Sequence, residues 1–113
     1  MSEQLRNSYA TDSQYTFAAT SNSVGEGEMI EVNIGKETLV IARVEGTLHA
    51  VDGICTHAYS ELADGELEDH CLLCPLHFAG FDIRDGSVLE GPADTPLFVY
   101  TVVEGDGSIW VKG

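Results

Sequence analysis

Nowhere does the chain sustain a helical period over 10 residues, and its apolar runs are short, often β-branched, and closed one after another by glycine-containing turns. That pattern predicts an all-β protein. In Met29 to Ile34, Ile30, Val32 and Ile34 alternate with Glu31 and Asn33, the period of a half-buried strand. Gly35-Lys36 turns the chain into a run from Thr38 to Val44. Glu45-Gly46 turns it again, and Thr47 to Val51 follows at hairpin spacing before Asp52-Gly53 closes the meander. Further on, Leu97 to Glu104 and Ser108 to Lys112 flank Gly105-Asp106-Gly107 as a second hairpin, and Tyr15 to Ala18 is placed as an edge strand. These strands are expected to form one base, from about residues 15–53 and 97–113, with residues 54–96 inserted between its halves.

A chain of 113 residues has room for one core and buries about two-thirds of the surface its unfolded form exposes. Its 43% hydrophobic and 21% charged residues set aside a disordered or collagen-like chain. Nineteen acidic residues against five basic ones leave a net charge of -14, which repels nucleic-acid phosphates and anionic lipid headgroups and argues against both as partners. The same self-repulsion favours a monomer. No apolar run approaches the roughly 18 residues of a membrane span, and Met1 to Gln14 is too polar for a signal peptide, so a cytoplasmic location is expected. Three cysteines are an odd number and few for a disulfide framework, which fits a reducing compartment where thiols hold metal or stay reduced.

The inserted stretch carries all three cysteines and all three prolines, and within it two pairs stand out: Cys55-Thr56-His57 and, after 16 intervening residues, Cys74-Pro75-Leu76-His77. Each pair offers one soft thiolate and one imidazole. Ligands one or two residues apart in a tight turn reach the same metal centre, and two such turns at adjacent hairpin tips grip it from both sides. The candidate metal ligands are therefore Cys55, His57, Cys74 and His77. Cys71 stands three residues before Cys74, which in a strand puts it on the opposite face as a packed small hydrophobe. His49, in a strand-like run, and His70, beside acids, belong to no spaced pair and read as structural or surface histidines.

With Cys-x-His, a 16-residue interval and Cys-x-x-His, the chain resembles the Rieske [2Fe-2S] ferredoxins. The resemblance runs from about Ile30 to the C-terminus and takes in Phe81-Asp82-Ile83, Gly86 and Gly91-Pro92-Ala93. It implies a Rieske-type fold of antiparallel sheets, in which a small cluster-binding subdomain of two ligand loops, about residues 54–96, is inserted in the β base. It also implies one [2Fe-2S] cluster, one iron on Cys55 and Cys74 and the other on His57 and His77, with Gly91-Pro92-Ala93 as a covering loop. Two ferric ions, two sulfides and two thiolates sum to about zero in the oxidised cluster with neutral imidazoles and to about -1 after reduction. An all-cysteine cluster starts more negative, so the histidine-bound iron is the easier one to reduce.

High-potential members of that family carry an extra cysteine in each ligand loop, joined as a disulfide, and hydroxyl side chains that donate to cluster or cysteine sulfur. Here the corresponding positions are Ser60 and Leu76 for the disulfide and Ala79 and Phe81 for the hydroxyls. A low potential is expected, near the about -150 mV end of the Rieske range. Low-potential soluble members are the ferredoxin components of multicomponent aromatic-ring dioxygenases. The resemblance thus implies an electron carrier, not an enzyme, taking single electrons from a flavin-containing NAD(P)H-dependent ferredoxin reductase to a terminal Rieske non-haem iron oxygenase. Phe78 departs from the Gly or polar residue common there.

Charge placement agrees with a carrier: Glu61, Asp64, Glu66, Glu68 and Asp69 fall between the ligand pairs, and no Lys or Arg occurs from residue 45 to 83. Basic partner surfaces are expected to meet this face, with Tyr59, Phe78 and Pro92 offering a small apolar tip. The alternative from another class is a structural Cys2His2 zinc module, which the same four residues also suit. A thiol redox role for Cys71-Leu72-Leu73-Cys74 lacks the βαβ surroundings such a motif needs.

Overall fold

In the computed structural model, residues 14–56, 60–75, 79–91 and 95–113 are described. Ten strands and two short 3-10 turns, Ser21–Ser23 and Leu62–Asp64, make up the regular structure among them. A six-stranded antiparallel sheet contains β1 (Thr16–Thr20), β2 (Met29–Ile34), β3 (Glu37–Val44), β4 (Thr47–Asp52), β9 (Val99–Gly105) and β10 (Ser108–Lys112), in the spatial order β1-β10-β9-β4-β3-β2. A second, four-stranded sheet holds β5 (Glu66–Glu68), β6 (Cys71–Leu73), β7 (Gly80–Asp82) and β8 (Val88–Glu90), in sequence order. The all-β expectation holds, and Tyr15 to Ala18 does lie by an edge strand, β1, paired to β10.

Turn chemistry explains the hairpins. Glu45-Gly46 and Asp106-Gly107 both take positive φ at both residues, the backbone of a two-residue turn whose twist matches that of the strands it joins. Gly35 supplies the positive φ that the β2–β3 turn needs at its first position.

β3 is the partition of the molecule. Leu39 and Ile41 face one core with Ala50, Ile109, Val111 and Val24, while Val40, Ala42 and Val44 face a second core with Val51, Leu62, Leu72, Phe81, Ile83 and Leu97. A strand buried on both faces reads as a continuous apolar run, which is why Leu39 to Ala42 shows no alternation. Each fully buried Leu, Ile or Phe contributes about 1.5–3 kcal/mol of transfer free energy, and the second core, which holds residues of both sheets, ties the two together. Arg43, at the end of the first face, donates to the Val24 and Ser21 carbonyls and forks onto both carboxylate oxygens of Glu104 at 3.0 and 3.2 Å.

The second core carries the two candidate thiols. Cys55 and Cys74 are both fully buried within it, over a floor made by Val40, Ala42 and Val51. Two glycines allow the backbone to close up around them. A Cβ on Gly65 would run into the carbonyl oxygen of Leu73, the residue before Cys74. Gly86, at φ +78°, lies against the Leu97 carbonyl and accepts the Leu97 N–H at 2.8 Å.

Candidate metal centre

Two loops, matched in closure, present the thiols. The Cys55 N–H donates to the Ser60 carbonyl at 2.9 Å, and the Cys74 N–H donates to the Ala79 carbonyl at 2.8 Å, so each loop is closed from a cysteine to the residue five positions on. The first loop follows β4. Asp52, at the end of that strand, donates its N–H to the Phe98 carbonyl, and its carboxylate accepts the Phe98 N–H and the Tyr100 hydroxyl. Gly53 then donates to the Thr38 carbonyl and accepts from Leu62. The second loop joins β6 to β7, whose pairing of Leu73 with Gly80 holds its ends together.

Among the described residues, a side chain of the first loop meets the second. Ser60 Oγ lies 3.0 Å from Cys74 Sγ, a part-buried contact between the closing residue of the first loop and the opening residue of the second. A third segment joins them where Thr56 Oγ1 donates to the Thr95 carbonyl at 2.7 Å. Beside Cys74, Asp64, Gly65, Glu66, Leu73 and Pro75 line a concavity of about 180 Å³.

His57 and His77 lie outside the described residues, as do Tyr59, Phe78 and Pro92 of the expected apolar tip and Ala93 of the expected covering loop. Cys55 and Cys74 are brought into one core, as thiols and not half-cystines. The donor chemistry fits an iron–sulfur group: two buried sulfurs open two loops whose backbones are already hydrogen-bonded, and iron takes thiolates as ligands.

Cys71 differs from that pair. It is only partly buried, and β6 alternates so that Leu72 and Cys74 face the core while Cys71 and Leu73 do not. Burial pushes its thiol above the ordinary range, and Glu90, Glu68 and Asp82 push it further.

Two features escaped the sequence reading. Ser60 carries a hydroxyl to a ligand-position sulfur although Ala79 and Phe81 do not. The expectation that no hydroxyl reaches such a sulfur is thereby corrected: Ser60 closes the first loop, whereas Ala79 and Phe81 follow the second histidine. His49 and His70 pack edge to face with ring centroids 5.8 Å apart. Their separation along the chain left no signal for that contact.

Among the described residues the buried His49 Nε2 has no hydrogen-bond partner, and burial, followed by His70 and Arg84, holds the imidazole below its ordinary value against the opposing pull of Asp82. His49 is therefore kept neutral by the fold. A lowered histidine contributes stability above its unfolded value of about 6.5 and loses it progressively as pH falls through and below that value. Thermal melts at pH 7.5 and 5.5 should show a steeper acid loss of Tm in the wild-type protein than in His49→Gln. Equal slopes would remove His49 from the account.

The five acids of the segment, Glu61, Asp64, Glu66, Glu68 and Asp69, are exposed, while Leu62 among them is buried. In a concavity shared with Glu68 and Asp69, the Asp82 carboxylate is bound by the Arg84 guanidinium at 2.8 and 3.0 Å, which holds its carboxyl below the usual range. Phe17, Leu89, Phe98 and Val99 are the large apolar residues most exposed among the described residues. None of the described helical segments is long and apolar enough to cross a membrane.

Comparison with known proteins adds the following. Residues 14–101 match the Rieske [2Fe-2S] domain. The ferredoxin component of the naphthalene 1,2-dioxygenase/salicylate 5-hydroxylase systems of a Ralstonia species is 33% identical over 85 residues, which cover 75% of this chain and 82% of that protein. The ferredoxin component of biphenyl 2,3-dioxygenase from Rhodococcus jostii (strain RHA1) is 36% identical over 92 residues, covering 80% and 86%. Among solved structures, a chain from the complex of reduced oxygenase and oxidised ferredoxin in carbazole 1,9a-dioxygenase superposes with a TM-score of 0.83 at 26% identity, covering 90% of this chain and 95% of that one.

Proposed function

From the premise that the chain belongs to the Rieske [2Fe-2S] family, in the branch of dioxygenase ferredoxin components, we propose that Cys55 and Cys74 hold one iron of its cluster and His57 and His77 the other. The protein is an electron carrier of the kind that serves aromatic-ring dioxygenases, not an enzyme, and its cofactor is one Rieske-type [2Fe-2S] cluster. The zinc-module alternative finds no support in the family match.

The observation that carries the ligand reading is the pair of buried thiols at the openings of two identically closed loops. The chain's own residues supply a rigid, largely apolar floor under the site and fixed N–H and hydroxyl groups around it. The cluster, when bound, accepts and releases one electron. We take residues 54–96 as the cluster-binding subdomain of a single domain and residues 15–53 with 97–113 as its base. The order of the two sheets along the chain supports that division.

A terminal oxygenase is the proposed electron acceptor, by analogy with the oxygenase–ferredoxin complex of carbazole 1,9a-dioxygenase. A flavin-dependent, NAD(P)H-oxidising reductase is the proposed donor. A monomer follows from self-repulsion at a net charge of -14, and the three reduced thiols support a cytoplasmic location.

The purified protein should be brown and contain iron and acid-labile sulfide in equal amounts. It should also restore NADH-driven hydroxylation when added to a flavin reductase and an aromatic-ring oxygenase of this type. A colourless protein without sulfide, or a coloured one that passes no electrons between such partners, would overturn the proposal.

A further inference from the structure

We propose that Ser60 is a potential-setting residue, its hydroxyl donating a hydrogen bond across the two loops to the sulfur of Cys74 and stabilising the reduced state of the site. The inference rests on the ligand reading above and goes beyond it, since Ser60 binds no iron.

Geometry carries the argument. Ser60 Oγ is 3.0 Å from Cys74 Sγ, a short contact for an oxygen and a sulfur, and Cys74 is fully buried. Between a serine and a free thiol either atom can donate. A metal-bound cysteine is a thiolate and has no proton to give, so with iron in place only the serine O–H donates. Water competes poorly for a part-buried acceptor, and a hydrogen bond to a charged acceptor is stronger than a neutral one.

Reduction adds one electron to the site, takes its summed charge from about zero to about -1, and moves no proton at Ser60. No bond to Ser60 forms or breaks. The donor attracts the added negative charge, so the O–H···S contact is worth more in the reduced state than in the oxidised one. Its presence raises the potential and its loss lowers it. Hydrogen bonding to the sulfurs is one of the levers by which a protein sets an iron–sulfur potential.

Ser60 has a second, separable role. Its backbone carbonyl accepts the Cys55 N–H at 2.9 Å and closes the first loop. Ser60→Ala removes the hydroxyl and leaves that carbonyl in place, whereas Ser60→Thr keeps a hydroxyl. A merely structural serine would show its effect in cluster content and stability, not in potential.

The experiment compares the cluster-loaded wild-type protein with Ser60→Ala and Ser60→Thr by iron and sulfide analysis, visible spectrum and voltammetry. Ser60→Ala should keep its iron and sulfide while its reduced-to-oxidised ratio at a fixed potential falls about tenfold, a shift of about 59 mV for a one-electron couple. Ser60→Thr should recover most of the difference. A fully loaded Ser60→Ala protein with unchanged potential would overturn the proposal.

Should Ser60→Ala fail to assemble its cluster, resonance Raman spectra of the wild-type protein decide. Transfer to D2O should shift the iron–cysteine stretching bands, and bands that do not move would overturn the proposal. Failure of the ligand reading shows itself separately, as iron and sulfide retained in Cys74→Ala.

Discussion

Cys74→Ala should yield a colourless protein without iron or acid-labile sulfide, while Cys71→Ser should keep both, together with the wild-type visible spectrum. Both cysteines lie within one four-residue stretch, so proximity alone does not separate them. Strand periodicity does. Leu72 and Cys74 point into the core that also holds Cys55, and Cys71 points to the other face. There its sulfur packs near Gly80, where an added Cβ would stand 3.2 Å from it, and three carboxylates help keep it protonated. Cys74 instead opens a loop whose backbone is already closed onto Ala79 and meets the hydroxyl of Ser60. Losing one of two thiolates leaves an iron with half its proposed protein ligands, and the cluster dissociates. Cys55→Ala should behave as Cys74→Ala does. Loss of the cluster from Cys71→Ser, or its retention in Cys74→Ala, would reverse the assignment.

Much of this architecture was legible because the local signals agree with one another. Gly35-Lys36, Glu45-Gly46 and Asp106-Gly107 are turn sequences, and each stands between strands that pair in the register the turn dictates. What was not legible depends on length or on long-range contact. β5, β6, β7 and β8 have three residues each, too few for a period to show. The Ser60–Cys74 contact spans 14 positions and exists only because both loops close on the same core. His49 and His70 stand on different sheets' segments and meet through packing that no local pattern encodes. Gly65 looks like an ordinary turn glycine in the sequence. Its requirement comes from the Leu73 carbonyl beside it, a backbone neighbour that only the folded chain supplies.

Raising the ionic strength from 0.1 M to 1 M should slow both reduction of this protein by its reductase and delivery of electrons to the oxygenase, by at least about tenfold in each second-order rate. The reason is the exposed carboxylates of Glu61, Asp64, Glu66, Glu68 and Asp69, in a stretch with no Lys or Arg from residue 45 to 83; Arg84, which lines a concavity with Glu68 and Asp69, is already paired to Asp82. Such a surface steers an encounter with a basic partner, and the steering range contracts with the Debye length from about 10 Å to about 3 Å over that interval. Glu66→Gln, Glu68→Gln and Asp69→Asn together should reproduce the slowing at low salt and flatten the salt dependence. Cluster content should be unchanged, because none of the three side chains is part of either ligand loop. Direct association measurements with each partner, by stopped-flow, distinguish a docking effect from a change in electron-transfer rate within the complex. Salt-independent transfer to both partners would return the acidic row to a solubility role and move docking to the apolar tip around Tyr59, Phe78 and Pro92. Encounter rates in that case would respond to Tyr59→Ser and Phe78→Ser and not to the carboxylates.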